Sequence, residues 1–387
     1  MNQIERFSNS LGGGEILRTG EGYIFKLSSF DGNPVVKPEE IGLVWKDGEG
    51  LKKGAVFNPG AEIFGDGIIL LPRCHKNYRK KKFYDKKMKM ERYGMENYIS
   101  EIWVLHSNDG ENFTKLDNIT IKGNGTYHKD FTYGIEDVRV VKRGETYFIV
   151  GCGKVKPPFG GGNADRIAIY TTDNFKTIIY HGIVKNFDSR NAFPFFLSEE
   201  IYFFLRFHPN IHLVKLPDVE PLLDPERNDR FWQKVYEERE KSLLLKAGEL
   251  LHEKEKIGAG PQIVPSKKGW LFIYHCVGEI GKEITYLYGL PSKIERGYSI
   301  CALLLDFENP RRILARTRFP LYIPSKPYEL YGNEIFPVDI PCVVFPTGAL
   351  KVKDKLLLYC GAGDKYIVLL SCDINLLSDY LLNHCKI

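Results

Sequence analysis

Short apolar runs separated by tight turns recur along the whole chain. The runs are rich in β-branched and aromatic residues and are bounded by Gly, Asn, Asp and Pro, a pattern typical of strands. A clear case is the pair of runs 55–63 and 67–73, which a Gly-Asp-Gly turn joins. This spacing predicts a β-hairpin, and the same pattern predicts strands over most of the chain.

The predicted strands fall into five groups of three or four. The groups are 55–63, 67–73 and 102–106; 138–141, 146–150 and 166–171; 192–196, 201–206 and 211–216; 261–264, 270–275 and 298–305; and 342–345, 349–352, 355–359 and 366–370. Five such units predict an all-β fold, a five-bladed β-propeller formed by a single domain over 1–387. A β-sandwich of similar strand content is the alternative interpretation.

Two stretches depart from the strand pattern. Residues 75–97 are basic, with Arg79-Lys80-Lys81-Lys82 and Lys86-Lys87, and predict an irregular loop that is solvated, lines an anion site or contacts another subunit. Residues 224–256 carry charged and apolar residues at helical spacing, so we expect a helical insertion outside the propeller. This insertion is expected to cover one rim of a site or to join subunits in a homo-oligomer.

Composition and charge narrow the class of function. The 387 residues are 43% apolar and 13% aromatic, which fits either a sugar site lined by rings or the ordinary preference of Tyr and Phe for strands. The net charge of +5 is too small to indicate nucleic acid, but it suits a small anionic substrate such as phosphate.

The cysteines and the N-terminus indicate location. Eight scattered cysteines form no CxxC pair, which predicts a reducing compartment and no disulfide framework. Residues 1–14 contain no apolar signal segment and no run reaches membrane-spanning length, so we expect a soluble cytoplasmic protein. No His/Cys cluster has ligand spacing, so no metal site is expected. Gly160-Gly161-Gly162 lacks the Gly-Lys-Ser/Thr of a phosphate loop and is interpreted as a flexible loop near the site.

The strongest chemical signal is Glu136-Asp137-Val138-Arg139, at the mouth of the apolar run 138–150. On a regular strand the two carboxylates point to opposite faces, so one could face a cavity while Arg139 or the backbone holds the other. A group that transfers protons needs such a fixed, asymmetric setting. A turn with a surface ion pair is the alternative.

Seven stretches, in order from about residue 33 to the C-terminus, resemble glycoside hydrolase family 130, the β-mannoside phosphorylases and mannosidases. They are 57–60 (FNPG), 134–139 (GIEDVR), 257–261 (IGAGP), 269–275 (GWLFIYH), 304–310 (LLDFENP), 327–329 (PYE) and 359–364 (YCGAGD). The family has Glu-Asp-Pro-Arg more often than Glu-Asp-Val-Arg, and its Lys-Asp-Ala stretch corresponds to 190–192 here. The resemblance implies a five-bladed propeller with its site at the central axis.

The resemblance also implies a reaction and a set of roles. Asp137 would be the only general acid, passing its proton through the sugar 3-hydroxyl. Inorganic phosphate would attack from the opposite face and give α-mannose 1-phosphate, with no other cofactor. Phosphate would be bound by Arg190, Arg206, His275 and Tyr298, and the sugar by Asn58, Arg73, Glu136, Asn191 and Asp364. Taken singly, several of these residues fit structural roles as well: an ion pair, a core histidine, a strand filler or a turn.

Alternatives remain for activity and linkage. An inverting β-mannosidase needs a second carboxylate in place of a phosphate-binding residue, and Glu279 or Glu283 could supply it. A non-enzymatic propeller could instead bind a sugar or a protein. Both β-1,2 and β-1,4 linkages are compatible with the sequence.

Overall fold

The computed structural model of the chain describes residues 2–48, 50–76, 79–85, 89–96, 98–122, 130–156, 165–332 and 340–387. Five antiparallel sheets form the five blades of a β-propeller, which confirms the predicted fold class. Short strands rich in Val, Ile and aromatic residues suit this fold, because each sheet buries both faces against its neighbours.

The elements follow one another in blade order. Before the first blade lie α1 (Gln3–Ser10), β1 (Glu15–Thr19), β2 (Gly22–Lys26), β3 (Ser28–Ser29), β4 (Val44–Asp47) and β5 (Gly50–Lys53). The segment of blade 1 holds β6 (Ala55–Phe64), β7 (Gly67–His75), β8 (Arg79–Asp85), β9 (Met90–Glu96), β10 (Ser100–Ser107) and β11 (Thr114–Lys122). Blade 2 holds β12 (Ile135–Arg143), β13 (Thr146–Lys154), β14 (Asp165–Thr172) and β15 (Ile179–Val184).

The second half of the chain continues the pattern. The segment of blade 3 holds β16 (Phe193–Leu197), β17 (Glu200–Phe207), β18 (Asn210–Leu216), α2 (Glu220–Leu223), α3 (Asp229–Glu237) and β19 (Leu243–Leu245). That of blade 4 holds β20 (Lys256–Ala259), β21 (Val264–Pro265), β22 (Trp270–Ile280), α4 (Lys282–Tyr286), β23 (Ile294–Leu305) and β24 (Ile313–Arg316). That of blade 5 holds α5 (Pro327–Leu330), β25 (Val344–Val352), β26 (Lys355–Ala362), β27 (Tyr366–Asp373) and α6 (Ile374–His384).

The N-terminal segment completes the last blade. Blade 5 has the strand order β25-β26-β27-β3, so its outer strand comes from residues 28–29. Asn33 reinforces this junction, since its amide side chain both donates to and accepts from the main chain of Leu369. The two ends of the chain are therefore joined in one sheet, which closes the ring.

Five apolar clusters fill the gaps between neighbouring blades. The cluster between blades 1 and 2, for example, packs Ile69 and Val104 against Val138 and Ile149, all fully buried. The first strand of each blade faces the axis, and β12 contacts β6, β16 and β25. Loops at the ends of these inner strands therefore converge on one site.

Two expectations about the insertions need correction. Residues 75–97 are not an irregular loop, because β8 and β9 pair as an antiparallel hairpin from Arg79↔Glu96 to Asp85↔Met90. Residues 224–256 are helical only over α3 and two short 3-10 turns, Arg239–Ser242 and Leu251–Glu253. The amphipathic spacing holds within α3, where the fully buried ring of Trp232 packs against Phe203 and ties this short helix to the core.

All eight cysteines are free thiols, and seven of them are buried. No helix among the described residues has the length and apolar character needed to cross a bilayer. Cytoplasmic location and homo-oligomerisation stay predictions.

Candidate active site

Two β-bulges on the inner strands aim the central side chains. Between Glu136 and Arg139, β12 has one residue more than its partner β13, and β6 has the same irregularity between Phe57 and Gly60. At these bulges Asp137 has φ 48° and Asn58 has φ 49°, left-handed values that Asp and Asn tolerate best among non-glycine residues. The amide of Asn58 donates to Asp137 Oδ1 at 2.8 Å, so the two bulges meet.

The bulge overturns the expectation that Glu136 and Asp137 face opposite sides. Arg190 Nη2 lies 3.0 Å from Glu136 Oε2 and 2.6 Å from Asp137 Oδ2, so both carboxylates share one guanidinium. Both are also almost fully buried, at 2% and 3% exposure. Period-two alternation fails here because the extra residue rotates the backbone between them.

Arg73 binds the same two carboxylates from the blade 1 side. Its Nη1 is 3.3 Å from Asp137 Oδ1 and its Nη2 is 3.2 Å from Glu136 Oε1. Two residues that the sequence analysis missed hold it: Arg73 Nε donates to His75 Nε2 at 2.7 Å, and the Tyr98 hydroxyl bridges Arg73 and Glu136. The sequence gives little indication of His75 or Tyr98 as site residues, because both lie at the edges of the basic segment 75–97.

Arg139 plays a different part from the one expected. Its guanidinium donates to three main-chain carbonyls, those of Asp137 at 2.6 Å and of Ala259 and Gly260 at 2.9 Å. It is fully buried. Arg139 therefore ties the bulge of blade 2 to blade 4 across the axis, and within the described part of the chain it forms no ion pair with a carboxylate.

A buried ion pair, Lys154 with Asp165, extends the charged cluster and was also missed. The two residues are cross-strand partners on β13 and β14, and Asp165 Oδ2 lies 3.5 Å from Arg190 Nη1. Their proximity follows only from the strand register, which sequence patterns leave open. Arg190 thus contacts three carboxylates, those of Glu136, Asp137 and Asp165, and links them in one charged cluster.

Arg206 is a cation whose guanidinium has no partner among the described residues. Its main-chain N–H is bound by Ser189 Oγ, but its guanidinium makes no hydrogen bond or ion pair with the described residues. The charges that act most on it are those of Arg190, Asp165 and Tyr298. Lys256 lies nearby, with Nζ 5.3 Å from the Tyr298 ring. This side of the site is positive and has unused donors.

His275 and Asn191 lie beneath these cations. The His275 Nε2 and Asn191 Nδ2 atoms are 3.5 Å apart, and Gly258 is needed because a Cβ there would overlap both side chains. Burial, together with the charges of Arg206 and Arg139, keeps the His275 pKa well below its ordinary value, so the imidazole is neutral. Its ring packs 4.3 Å from that of Phe345.

Several buried polar atoms in this region lack a protein partner. Among the described residues these include Oδ1 of Asn58, Oδ1 of Asn191 and Nδ1 of His275. Buried polar atoms are normally paired, so orphans gathered at one place indicate where a polar ligand can bind. Thr347 Oγ1, at a third bulge on β25, is a further orphan that the sequence analysis missed.

Asp364 completes the acidic side from blade 5, on a left-handed turn with φ 52°. Loss of hydration, together with the Asp137 and Glu136 charges, raises its pKa to about 6, although Arg73 opposes the shift. The pKa of Asp137 is shifted in the opposite direction. Burial alone would raise its pKa, but Arg73, Arg190 and the Asn58 hydrogen bond outweigh burial and hold the pKa below the ordinary value.

All ten candidate site residues thus lie at or beside the inner strands, although their roles stay predictions. The two carboxylates considered for a hydrolase do not join them. Glu279 pairs with Lys293 at 3.2 Å, and exposed Glu283 accepts from the Gly20 N–H at 3.1 Å. The Gly160–Gly162 loop lies outside the described residues.

Comparisons with known proteins place this site in context. The family model described as beta-1,4-mannooligosaccharide phosphorylase matches residues 33–383. A beta-1,2-mannobiose phosphorylase of Thermoanaerobacter sp. is 27% identical over 89% of this chain and 96% of its own, and a 1,2-beta-oligomannan phosphorylase of the same organism is 26% identical over 89% and 96%. The structure of beta-1,2-mannobiose phosphorylase from Listeria innocua with beta-1,2-mannobiose has a TM-score of 0.65 at 20% identity, covering 92% of this chain and 99% of that one.

Proposed function

Because the match spans nearly the whole chain, the protein belongs to glycoside hydrolase family 130, and from this premise we propose that it is an inverting β-mannoside phosphorylase. The reaction transfers a mannosyl group from a β-mannoside to inorganic phosphate and gives α-mannose 1-phosphate and a free sugar hydroxyl. Asp137 is the general acid. Asn58, Arg73, Glu136, Asn191 and Asp364 bind the sugar, and Arg190, Arg206, His275 and Tyr298 face the phosphate.

The observation that carries the proposal is the unpartnered guanidinium of Arg206 beside Arg190. An inverting hydrolase needs a carboxylate at this position to activate water, whereas phosphate is itself a nucleophile and needs fixed positive donors. Neither Glu279 nor Glu283 is free to replace these donors. The charge arrangement therefore favours phosphorolysis over hydrolysis.

The same arrangement supplies a route for the proton. In the free site Arg73 and Arg190 keep Asp137 ionised. A phosphate dianion bound at Arg190 and Arg206 competes for the Arg190 charge, which raises the Asp137 pKa and lets it accept a proton. Asp137, having taken a proton from solvent, passes it through the sugar 3-hydroxyl to the leaving oxygen while a phosphate oxygen bonds to the anomeric carbon and the bond from that carbon to the leaving oxygen breaks. HPO₄²⁻ loses its hydrogen to solvent as the mannose 1-phosphate dianion forms, so one proton enters, one leaves, and atoms and charge balance.

The test is phosphate dependence. The purified chain is incubated with β-linked mannobiose with and without phosphate, and products are followed by ³¹P NMR and by mannose assay. We expect α-mannose 1-phosphate and mannose in equal amounts, and neither without phosphate. Release of mannose at the same rate without phosphate would favour the hydrolase. If no β-mannoside is turned over, the remaining interpretation is a non-catalytic propeller that binds a sugar or a protein.

We further propose that the linkage is β-1,2. The relatives named above for β-1,2 substrates align over 89% of this chain, whereas a beta-1,4-mannooligosaccharide phosphorylase of Ruminococcus albus aligns over 35%. Initial rates with β-1,2-mannobiose and with β-1,4-mannobiose, measured at equal concentration, show which linkage the enzyme prefers. A higher kcat/KM for the β-1,4 disaccharide would contradict this choice.

A further inference from the structure

A second cluster of reactive side chains lies apart from the mannoside site, between blades 3 and 4. It consists of His252 and Glu253 from the 3-10 turn Leu251–Glu253, Cys276 from β22 and Cys301 from β23. One donor atom from each residue lies within 4.8 Å of all the others. The sequence expectation of no metal site rested on spacing along the chain, and these residues come from three separate segments.

Burial makes the cluster unusual. Glu253, Cys276 and Cys301 are fully buried and His252 is 6% exposed. The Nε2 atom of His252 is buried with no hydrogen-bond partner in the described part of the chain, and the two sulfurs lie 2.9 Å apart without a disulfide. An orphan imidazole nitrogen beside two thiols in an apolar cluster is costly unless something binds there.

We propose that these four residues bind one Zn²⁺ ion. Thiolate, imidazole and carboxylate groups are all zinc ligands, four of them complete a tetrahedral site, and soft sulfur ligands disfavour Mg²⁺ and Ca²⁺. Tetrahedral zinc with bonds of about 2.0–2.3 Å needs donor separations of about 3.3–3.8 Å. The separations here, from 2.9 Å to at most 4.8 Å, bracket that range, so small side-chain rotations complete the site.

The surrounding residues fit the outer shell of such a site. Tyr274 donates to Glu253 Oε1 at 2.8 Å, and Arg316 pairs with Glu253 Oε2. Outer hydrogen bonds of this kind fix the orientation of metal ligands. Arg316, which also pairs with Glu249, places positive charge beside Glu253 and so offsets part of the negative charge left when Zn²⁺ binds two thiolates and one carboxylate.

The position of the cluster indicates a structural role. The zinc would fasten the surface turn 251–253 to the central strands of blade 4. His275, which faces the anion site, directly precedes Cys276, and successive residues on a strand point to opposite faces. Zinc would therefore support the strand that carries His275 without contacting phosphate or sugar.

The first measurement uses the wild-type chain. The untagged protein is loaded with Zn²⁺ under a phosphine reductant and dialysed against metal-free buffer, and its metal content is measured by plasma mass spectrometry. We expect about one Zn²⁺ per chain. Replacement by Co²⁺ should give the visible bands of tetrahedral cobalt and a near-ultraviolet thiolate charge-transfer band. Near-zero metal, or a cobalt spectrum without the thiolate band, would overturn the proposal.

Variants locate the ion. His252→Gln and Cys301→Ser should each lose nearly all bound Zn²⁺, whereas Cys342→Ser, a half-buried cysteine outside the cluster, should keep it. Retention of zinc by both cluster variants would contradict the assignment. Thiol titration of wild-type protein isolated without reductant, denatured with a chelator, should find all eight cysteines, and two fewer would instead identify a Cys276–Cys301 disulfide.

Discussion

Replacing Arg206 should weaken phosphate binding with little effect on the stability of the fold, so this residue gives the clearest test of the phosphate site. Its guanidinium forms no ion pair with the described residues, and Asp165, whose charge acts on it, keeps Lys154 and Arg190 as partners, so alanine leaves no unpaired buried charge behind. Replacing Arg190 by alanine, in contrast, would remove one of the two cationic partners of each of the buried carboxylates Glu136, Asp137 and Asp165. Removing one partner of a buried ion pair costs about 3–5 kcal/mol, so only the Arg190 variant should unfold more easily.

The expected size follows from the contact that is lost. A hydrogen bond to a charged group contributes about 1.5–3 kcal/mol, and about 1.4 kcal/mol corresponds to tenfold in affinity. Arg206→Ala should therefore raise the phosphate KM by about 10- to 100-fold, while the mannoside KM changes by less than about threefold. Arg206→Lys should recover part of the effect, because it keeps the charge and loses the forked geometry.

The assay measures initial rates of α-mannose 1-phosphate formation while phosphate and mannobiose are varied in turn. Arg312→Ala is the matched control, because that arginine is exposed and, among the described residues, its one ion pair is with Asp306 at 3.6 Å. Its phosphate KM should match that of the wild type. Equal increases in both KM values for Arg206→Ala, or no change in either, would refute the phosphate-binding role.

Three further predictions concern neighbouring residues. Asp137→Asn should lower kcat by at least about 10²-fold with an unchanged circular dichroism spectrum, since general acids contribute on this scale; near-wild-type kcat would exclude its role. The pKa of Asp364 is raised to about 6 in the folded chain, against an ordinary value of 3.8, so the folded state binds more protons between these values. Wild-type stability therefore falls as pH rises from about 4 to 6. Asp364→Asn should remove this dependence of stability on pH and raise the free energy of unfolding at neutral pH by up to about 3 kcal/mol. It should also weaken mannoside binding. Denaturant titrations at several pH values test the first effect, and an unchanged dependence on pH would contradict it. Arg139→Lys should lower the free energy of unfolding by about 2–5 kcal/mol in the same titrations, because one ammonium cannot serve all three carbonyls; a loss below about 0.5 kcal/mol would refute this role.

The strand pattern was enough to predict the propeller and its five blades. Alternating and continuous apolar runs report burial directly, and each blade has one hairpin or more with a clear turn. The pattern was less informative where packing decides the structure. The helix predicted over 224–256 is limited to α3, which packs on the core through Trp232, and the basic segment forms a hairpin despite its charge.

At the site, sequence identified residues but not their directions. Glu136 and Asp137 were expected on opposite faces, and only the bulge explains why both reach Arg190. Lys154 and Asp165 are eleven positions apart, and the register that pairs them is a tertiary property. Single-sequence reasoning therefore finds functional residues best where a local motif surrounds them, and misses those that the fold brings together.

Pairing of β3 with β27 has a consequence for biosynthesis. A nascent chain emerges from its N-terminus, so residues 28–29 must wait without their partner strand until 366–373 have been translated. Residues of the site come from all five blades, so the complete site cannot form before that late event. A ribosome-bound fragment ending before β27 should therefore be inactive however well its first blades have formed.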